Sequence, residues 1–274
     1  MSLDRYYAAN KAYWNERVDV NLRNWEVDGF LADPARLTDV VSADRDAVGE
    51  VRGKSLIHLQ CHFGLDTLAW SRLGARAIGV DFSPRAIAVA ADLATRIDSS
   101  ARFVEADLYQ APRAVPELFD IVYTSGGVLC WLSDIAGWAN VIDRLLKPGG
   151  VFYIREAHPV LWSLEDERDD DKLVVGLPYF ERSEPLRWQG DPVWEEDGRY
   201  NTSHTVQHCW PHGLGEIVTA LIDAGLTIQF LREHKSCLWQ ALHFMIEGDD
   251  GWWRLPDGQE RLPLMYSIRA VKPR

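Results

Sequence analysis

Ser55-Leu56-Ile57-His58-Leu59-Gln60-Cys61-His62-Phe63-Gly64 opens the stretch that decides the fold, and Ala75-Arg76-Ala77-Ile78-Gly79-Val80-Asp81 closes it. Residues 55–62 read as a short, largely apolar strand, and Phe63-Gly64 as a turn. Leu65, Leu68, Ala69 and Leu73 then recur at helical spacing, with Gly74 placed to cap that helix at its C-terminus. A second strand follows and ends in Asp81. Strand, tight turn, helix and a strand ending in a carboxylate form the opening of a nucleotide site. The helix N-terminus offers free N–H groups there, and the carboxylate can accept from two ribose hydroxyls.

The alternation continues downstream. Ser83 is placed as the N-cap and Pro84 as the first residue of a helix carrying Ile87, Ala90, Ala91 and Ala94. Residues 101–106 form a third strand, again closed by a carboxylate, Asp107. Two strands of one sheet that each end in Asp open into the same crevice at its carboxyl edge. Asp107, with Ala106 and Leu108, would there meet an exocyclic amine and sandwich a purine ring. Residues 119–127 give a fourth strand that runs into Ser125-Gly126-Gly127. A helix from Asp134 to Leu146 stops at the breaker Lys147-Pro148-Gly149-Gly150 before a fifth strand, 151–154. The repeated βα alternation demands an α/β fold, a doubly wound, mostly parallel Rossmann-like sheet with helices on both faces.

Composition sets the outer limits. The 274 residues suffice for one large α/β domain with an insertion, or for two small domains, with a full core in either case. Twelve Trp exceed what such a core needs, so some are expected in a pocket or interface. A net charge of -12 without any Lys/Arg run argues against a nucleic-acid partner. The first residues lack an apolar signal core and no membrane-length apolar run occurs, so no membrane association is expected. Cys61, Cys130, Cys209 and Cys237 lie far apart, as unpaired thiols in a reducing, cytoplasmic setting would. A monomer or homodimer is expected.

Residues 1–50 read as an N-terminal helical cap. Tyr6 to Trp25 mixes aromatics with charge over one or two amphipathic helices, and Pro34 starts another that carries Leu37, Val40 and Val41. Its aromatics either glue the cap to the domain or form a lid, with Trp14 or Trp25 covering the cofactor and Arg17 meeting a carboxylate.

The order of elements, together with "LLKPGGVFYI", "GVDFSP" and "ARFVEADL", resembles the class I S-adenosylmethionine-dependent methyltransferases. The likeness covers about residues 50–158. It implies S-adenosyl-L-methionine as cofactor and a seven-stranded sheet completed by an antiparallel C-terminal hairpin. Carried over residue by residue, the methionine part falls on Gln60, Cys61, His62 and Gly64, with Ser125 and Gly126 beside it. Asp81, followed by Phe82 and Ser83, takes the ribose; Asp107 approaches the adenine amine; Phe82 and Leu108 flank the ring. One departure stands out: the family shows an acid and then three alternate glycines, where this chain has His58, Gln60, His62 and Gly64. Gln60 and His62 then either shift the cofactor or contribute side-chain contacts in place of bare backbone. His62 reads as a turn residue near the cofactor, and Cys61 as a small buried hydrophobe.

Beyond the fifth strand, Glu156 and His158 are expected to face the crevice from alternate positions as a proton-handling pair, with a structural histidine as the competing reading. The insertion at about 160–213 is expected to form a β-rich lid, with strands over 174–180 and 200–210. Tyr179, Trp188, Trp194, Trp210 and His212, with Trp131, are candidate walls of an acceptor pocket. His208 and His212 flank Cys209 without a further ligand cluster, so no metal is expected. A helix over 214–224 and strands over 226–231 and 264–271 complete the domain, 51–274. The functional expectation is methyl transfer to a small-molecule acceptor. The strand-four sequence Thr124-Ser125-Gly126-Gly127 lacks the signature of amino-methylating DNA enzymes. Two rivals remain: a binding protein that kept the fold without catalysis, and a nicotinamide-dependent oxidoreductase.

Overall fold

Strands and helices alternate through the chain as the apolar periodicity predicts. The computed structural model describes residues 3–25, 27–190 and 202–274. Three helices come first, α1 (Asp4–Asn24), α2 (Val27–Ala32) and α3 (Asp39–Val48). The alternating core follows as β1 (Ser55–Leu59), α4 (Leu65–Arg72), β2 (Arg76–Asp81), α5 (Pro84–Arg96), β3 (Arg102–Glu105), α6 (Ala111–Ala114), β4 (Phe119–Thr124), α7 (Ile135–Leu145) and β5 (Leu146–Ala157). Next come α8 (Pro159–Trp162), β6 (Leu186–Gln189), β7 (Val206–Cys209), α9 (Leu214–Asp223) and β8 (Thr227–His234). The chain ends with β9 (Ser236–Cys237), β10 (Ile246–Glu247), β11 (Trp253–Arg254) and β12 (Met265–Val271).

The main sheet has seven strands in the order β3-β2-β1-β4-β5-β12-β8. β12 runs antiparallel to both neighbours, and the other pairings are parallel. Order reverses beside β1, so the carboxyl ends of β1, β2 and β4 open one crevice there. Apolar clusters cover the two faces of the sheet. One is built around Trp138, Ile142, Ile217 and Leu221, the other around Trp70, Leu68, Leu93 and Phe30.

The N-terminal cap is tied to the sheet by a buried polar knot. Asp44 on α3 accepts from the hydroxyls of Tyr123 (2.9 Å) and Tyr153 (2.7 Å) and from Nε of Arg155 (2.6 Å). Burial outweighs these partners and pushes the Asp44 carboxyl up. Asn10, itself buried on α1, donates to the carbonyl of His208 and accepts from its N–H, both at 2.8 Å. The side-chain amide thus pairs with β7 as a neighbouring strand would, and joins the cap to the insertion.

Several local expectations are corrected. Pro34 does not start a helix: the Asp33 carboxylate captures the Ala35 N–H in a turn, and α3 begins at Asp39 behind its N-cap Thr38, whose hydroxyl accepts from Val41 N. Lys147-Pro148-Gly149-Gly150 ends α7 but lies within β5, because Gly149 (φ 80°) bulges the strand and both glycines pair with Lys272. Residues 174–180 form no strand. Pairing stops at one antiparallel bridge between Val175 and Leu164, where Gly176 and Leu177 both donate to the Ser163 carbonyl, and Pro178 has no N–H to extend a ladder. The lid's two-stranded sheet is β6 with β7, while Trp194 lies outside the described residues. The antiparallel pair β8 and β12 is joined by a second lid segment, in which β9, β10 and β11 form a small sheet over Leu161, Leu164, Leu242 and Leu255.

Candidate active site

The turn after β1 keeps a left-handed path without glycines at two positions. Gln60 (φ 57°), His62 (φ 51°) and Gly64 (φ 81°) alternate with ordinary residues. Side chains in that region cost about 1–2 kcal/mol each, so they persist only where surroundings hold them. Asp81 Oδ2 accepts from His62 N at 2.8 Å, and Gln60 Nε2 donates to the Val128 carbonyl at 3.1 Å. Asn21 Nδ2 donates to His62 Nε2 at 3.0 Å, and the imidazole lies edge-on to Trp14 and Trp25 at 5.4 and 5.6 Å. Burial drops His62 to about 3, so it is neutral. Only glycine fits at 64: a Cβ there would stand 2.4 Å from the Phe103 ring.

These side chains enclose a cavity of about 180 Å³ at the carboxyl edge of the sheet. Asp81, Asp107 and Asp66 all line it, and no Lys or Arg does among the described residues. Asp81 sits at the end of β2 with Oδ1 accepting from Ser83 N at 2.9 Å, and burial raises it to about 6. Asp66, in the first turn of α4, accepts from the Thr38 hydroxyl at 2.6 Å and is likewise raised by burial to about 6. Asp107 accepts from Tyr109 N at 2.9 Å, and burial raises it too. At neutral pH three carboxylates therefore face one small space. A cation is welcome there, and a pyrophosphate is not. Gln60 Oε1 is a buried acceptor with no hydrogen-bond partner, and Gln60 lines the same cavity.

The expected convergence of Asp81 and Asp107 is thus present. Trp14, Trp25, Cys61, His62, Phe82, Ala106, Leu108, Ser125 and Gly126 also line the cavity, as expected. Arg17, Gly64 and Ser83 do not. The Arg17 guanidinium binds the Tyr13 hydroxyl at 2.8 Å, Gly64 caps α4, and the Ser83 hydroxyl caps α5 while donating to Asn15 at 2.5 Å. Asp66, Tyr7 and His58 were missed by sequence reasoning. His58 is neutral, pushed to about 3 by burial, and bridges the Thr67 and Ser125 hydroxyls at 2.9 and 3.1 Å. A carboxylate in the first turn of the helix after the nucleotide turn was the available signal for Asp66.

A second cavity of about 430 Å³ lies beside the first, under the two lid segments. Trp162, Trp188, Trp210, Trp239, Tyr179 and His212 wall it, so the expected pocket residues Tyr179, Trp188, Trp210 and His212 are in place. Trp131 borders both cavities and is fixed by Nε1 donating to the Gly127 carbonyl at 2.8 Å.

The expected proton-handling pair is not formed. Glu156 Oε1 accepts from Gly127 N and Ala157 N at 2.7 Å, and Oε2 from Val128 N and Leu129 N at 2.8 and 3.2 Å. All four lone-pair directions of the carboxylate are filled, so it clamps the loop that carries Trp131. His158 lies past the strand end, where the alternation no longer applies. Its Nδ1 accepts from Val160 N at 3.1 Å as the cap of α8, and Nε2 lies 3.1 Å from Glu233 Oε1 without hydrogen-bond geometry. It lines neither cavity.

Comparison with known proteins agrees with this layout. Residues 57–154 match the family model described as a methyltransferase domain. An S-adenosylmethionine-dependent methyltransferase from Mesorhizobium loti superposes with a TM-score of 0.61 at 21% identity, over 86% of this chain and 98% of that one. One from Clostridium acetobutylicum gives 0.57 at 12% identity, over 86% and 90%. The glycopeptide N-methyltransferase MtfA, complexed with S-adenosyl-L-methionine, gives 0.53 at 18%, over 86% and 88%. No curated protein matches the chain by sequence. Residues 57–154 are thus similar to the methyltransferase-domain family, and the chain has the Rossmann-like fold of S-adenosylmethionine-dependent methyltransferases. Among the described residues no helix is long and apolar enough to cross a membrane.

Proposed function

We propose that this protein transfers a methyl group from S-adenosyl-L-methionine to a small-molecule acceptor. The observation that carries the reading is the junction at Trp131, where a cavity lined by three carboxylates meets an aromatic one. The donor set fits the cofactor. Asp81 would take the ribose hydroxyls and Asp107 the adenine amine, between Phe82 and Leu108. Asp66 and the unpartnered Gln60 Oε1 would take the α-ammonium, near the free N–H groups at the start of α4. When bound, the cofactor supplies an electrophilic methyl on a positively charged sulfur. The three carboxylates oppose the pyrophosphate of a nicotinamide dinucleotide, which speaks against an oxidoreductase.

What the protein adds is alignment and exclusion of water. Trp131 and the Glu156-clamped loop fix the boundary between the two cavities. The buried polar groups that face the acceptor space are already held: Glu156 is saturated, and both nitrogens of His212 are engaged. An acceptor that brings its own lone pair, an amine or a thiolate, suits such a site better than an alcohol. Asp166 and Glu167, exposed at the rim of the aromatic cavity, favour an amine of the two: they attract its ammonium form and can take the proton it sheds before the nitrogen lone pair attacks.

Calorimetric titration with S-adenosylmethionine, S-adenosylhomocysteine and NAD(P)H tests the cofactor assignment, and a methyl-transfer screen of amines, thiols and phenols tests the acceptor. Binding of the sulfur compounds and turnover of an amine are expected. Binding of NAD(P)H alone would overturn the reading. Cofactor binding without turnover across the panel would instead favour a non-catalytic binding protein.

A further inference from the structure

At the far wall of the aromatic cavity the insertion meets the start of α9. Tyr179 anchors the meeting point, its hydroxyl accepting from Leu214 N at 3.1 Å. Two residues further, exposed Glu181 approaches His212, which is buried, and half-buried Glu216 in the first turn of α9. One ligand atom from each lies within 4.8 Å of the other two.

The geometry fixes which atoms of this group meet. His212 Nε2 lies 2.7 Å from the Leu132 carbonyl, which can only accept, so Nε2 donates there and the other ring nitrogen is left to face the carboxylates. Nδ1, in a side chain only 2% exposed, lies 3.1 Å from Glu216 Oε1. With Glu181 closing the group from the insertion, one imidazole nitrogen and two carboxylates from three separate segments converge on one point.

We propose that Glu181, His212 and Glu216 bind one divalent transition-metal ion, which ties the insertion to α9 beside the acceptor cavity. One imidazole nitrogen and two carboxylate oxygens suit Zn²⁺, with water completing the shell; Mg²⁺ prefers an all-oxygen octahedron. The three ligands come from the lid, from the turn before α9 and from α9 itself. The ion therefore fixes the lid segment that carries Tyr179. Histidine 208 takes no part, since its ring packs on Tyr6 at 4.5 Å.

The test uses the full chain after EDTA treatment and dialysis. Calorimetric titration with ZnCl₂ is expected to show one ion per chain and a rise in Tm that EDTA reverses, whether or not the protein transfers methyl groups. His212→Ala and Glu181→Gln are each expected to weaken Zn²⁺ at least ~10-fold, since loss of mere supporting contacts already costs that much. Circular dichroism checks that His212→Ala is folded. Should it not fold, Glu181→Gln decides alone, because Glu181 is exposed and its replacement leaves the core intact. Absence of saturable Zn²⁺ binding, indifference to Glu181→Gln, or Mg²⁺ binding as tight as Zn²⁺ would each overturn the assignment.

Discussion

Replacing Asp81 by Asn separates binding from folding. In the fold this carboxyl rises from its ordinary 3.8 to about 6, chiefly through burial. Keeping it ionised at pH 7 therefore costs roughly 3 kcal/mol at 1.36 kcal/mol per pH unit. Asn removes that cost. It also leaves one of the two N–H donors now held by Asp81, His62 N or Ser83 N, without an acceptor, at about 1–3 kcal/mol. The two effects nearly cancel, so the variant should unfold in urea within about 2 kcal/mol of the parent. Cofactor affinity has no such offset. Loss of a charge-assisted bond to the ribose hydroxyls should weaken S-adenosylmethionine by about 1.5–3 kcal/mol, or ~10- to 150-fold by calorimetry. A dissociation constant unchanged in Asp81→Asn, with stability lowered by more than ~3 kcal/mol, would mean that the carboxylate serves the turn and not the ligand.

The same groups make binding pH-dependent. Ligand donors favour ionised Asp81 and Asp66, both near 6, so affinity should fall about tenfold for each between pH 7 and pH 5, with proton release on binding; a flat profile would refute this. For the unliganded protein the sign is opposite: these raised carboxyls contribute stability that is full below about 3.8 and lost as pH rises through about 6. Glu156→Gln places an amide against N–H donors, and a stability loss of about 2–4 kcal/mol is expected; a normal Tm with kcat abolished would restore Glu156 as a base. Asp44→Ala strands buried Arg155 and two tyrosine hydroxyls, and should cost about 3–5 kcal/mol in urea denaturation, a value under ~1 kcal/mol being incompatible with the knot described.

Local chemistry made the core of the fold legible. Ser83 before Pro84, the apolar rows of α5 and α7, and the short apolar strands each carry their own instruction, because caps and periodicity act within a few residues. Asp81 and Asp107 were legible for a related reason: in parallel sheets the carboxyl end of a strand always opens on the same edge. Glu156 and His158 were misread where that logic stops. Strand alternation says which way a side chain points, but not whether backbone N–H groups from another loop have already filled its lone pairs. The insertion was harder still, since the β-type alternation of 174–180 carries Gly176 and Pro178, and the ladder instead formed at 186–189, which pairs across a long stretch of chain.

By itself the sequence determined the alternating sheet, the edge at which a ligand would sit, and two of the acids at that edge. All three follow from contacts local in the chain or from the handedness of βαβ units. Tertiary structure alone decided that Asp66 joins those acids, that two lid segments enclose an aromatic cavity, that Glu156 is a clamp, and that Glu181 reaches His212. Each of these joins residues far apart in the chain, and such meetings depend on how loops fold back and satisfy buried polar groups, which no local pattern encodes.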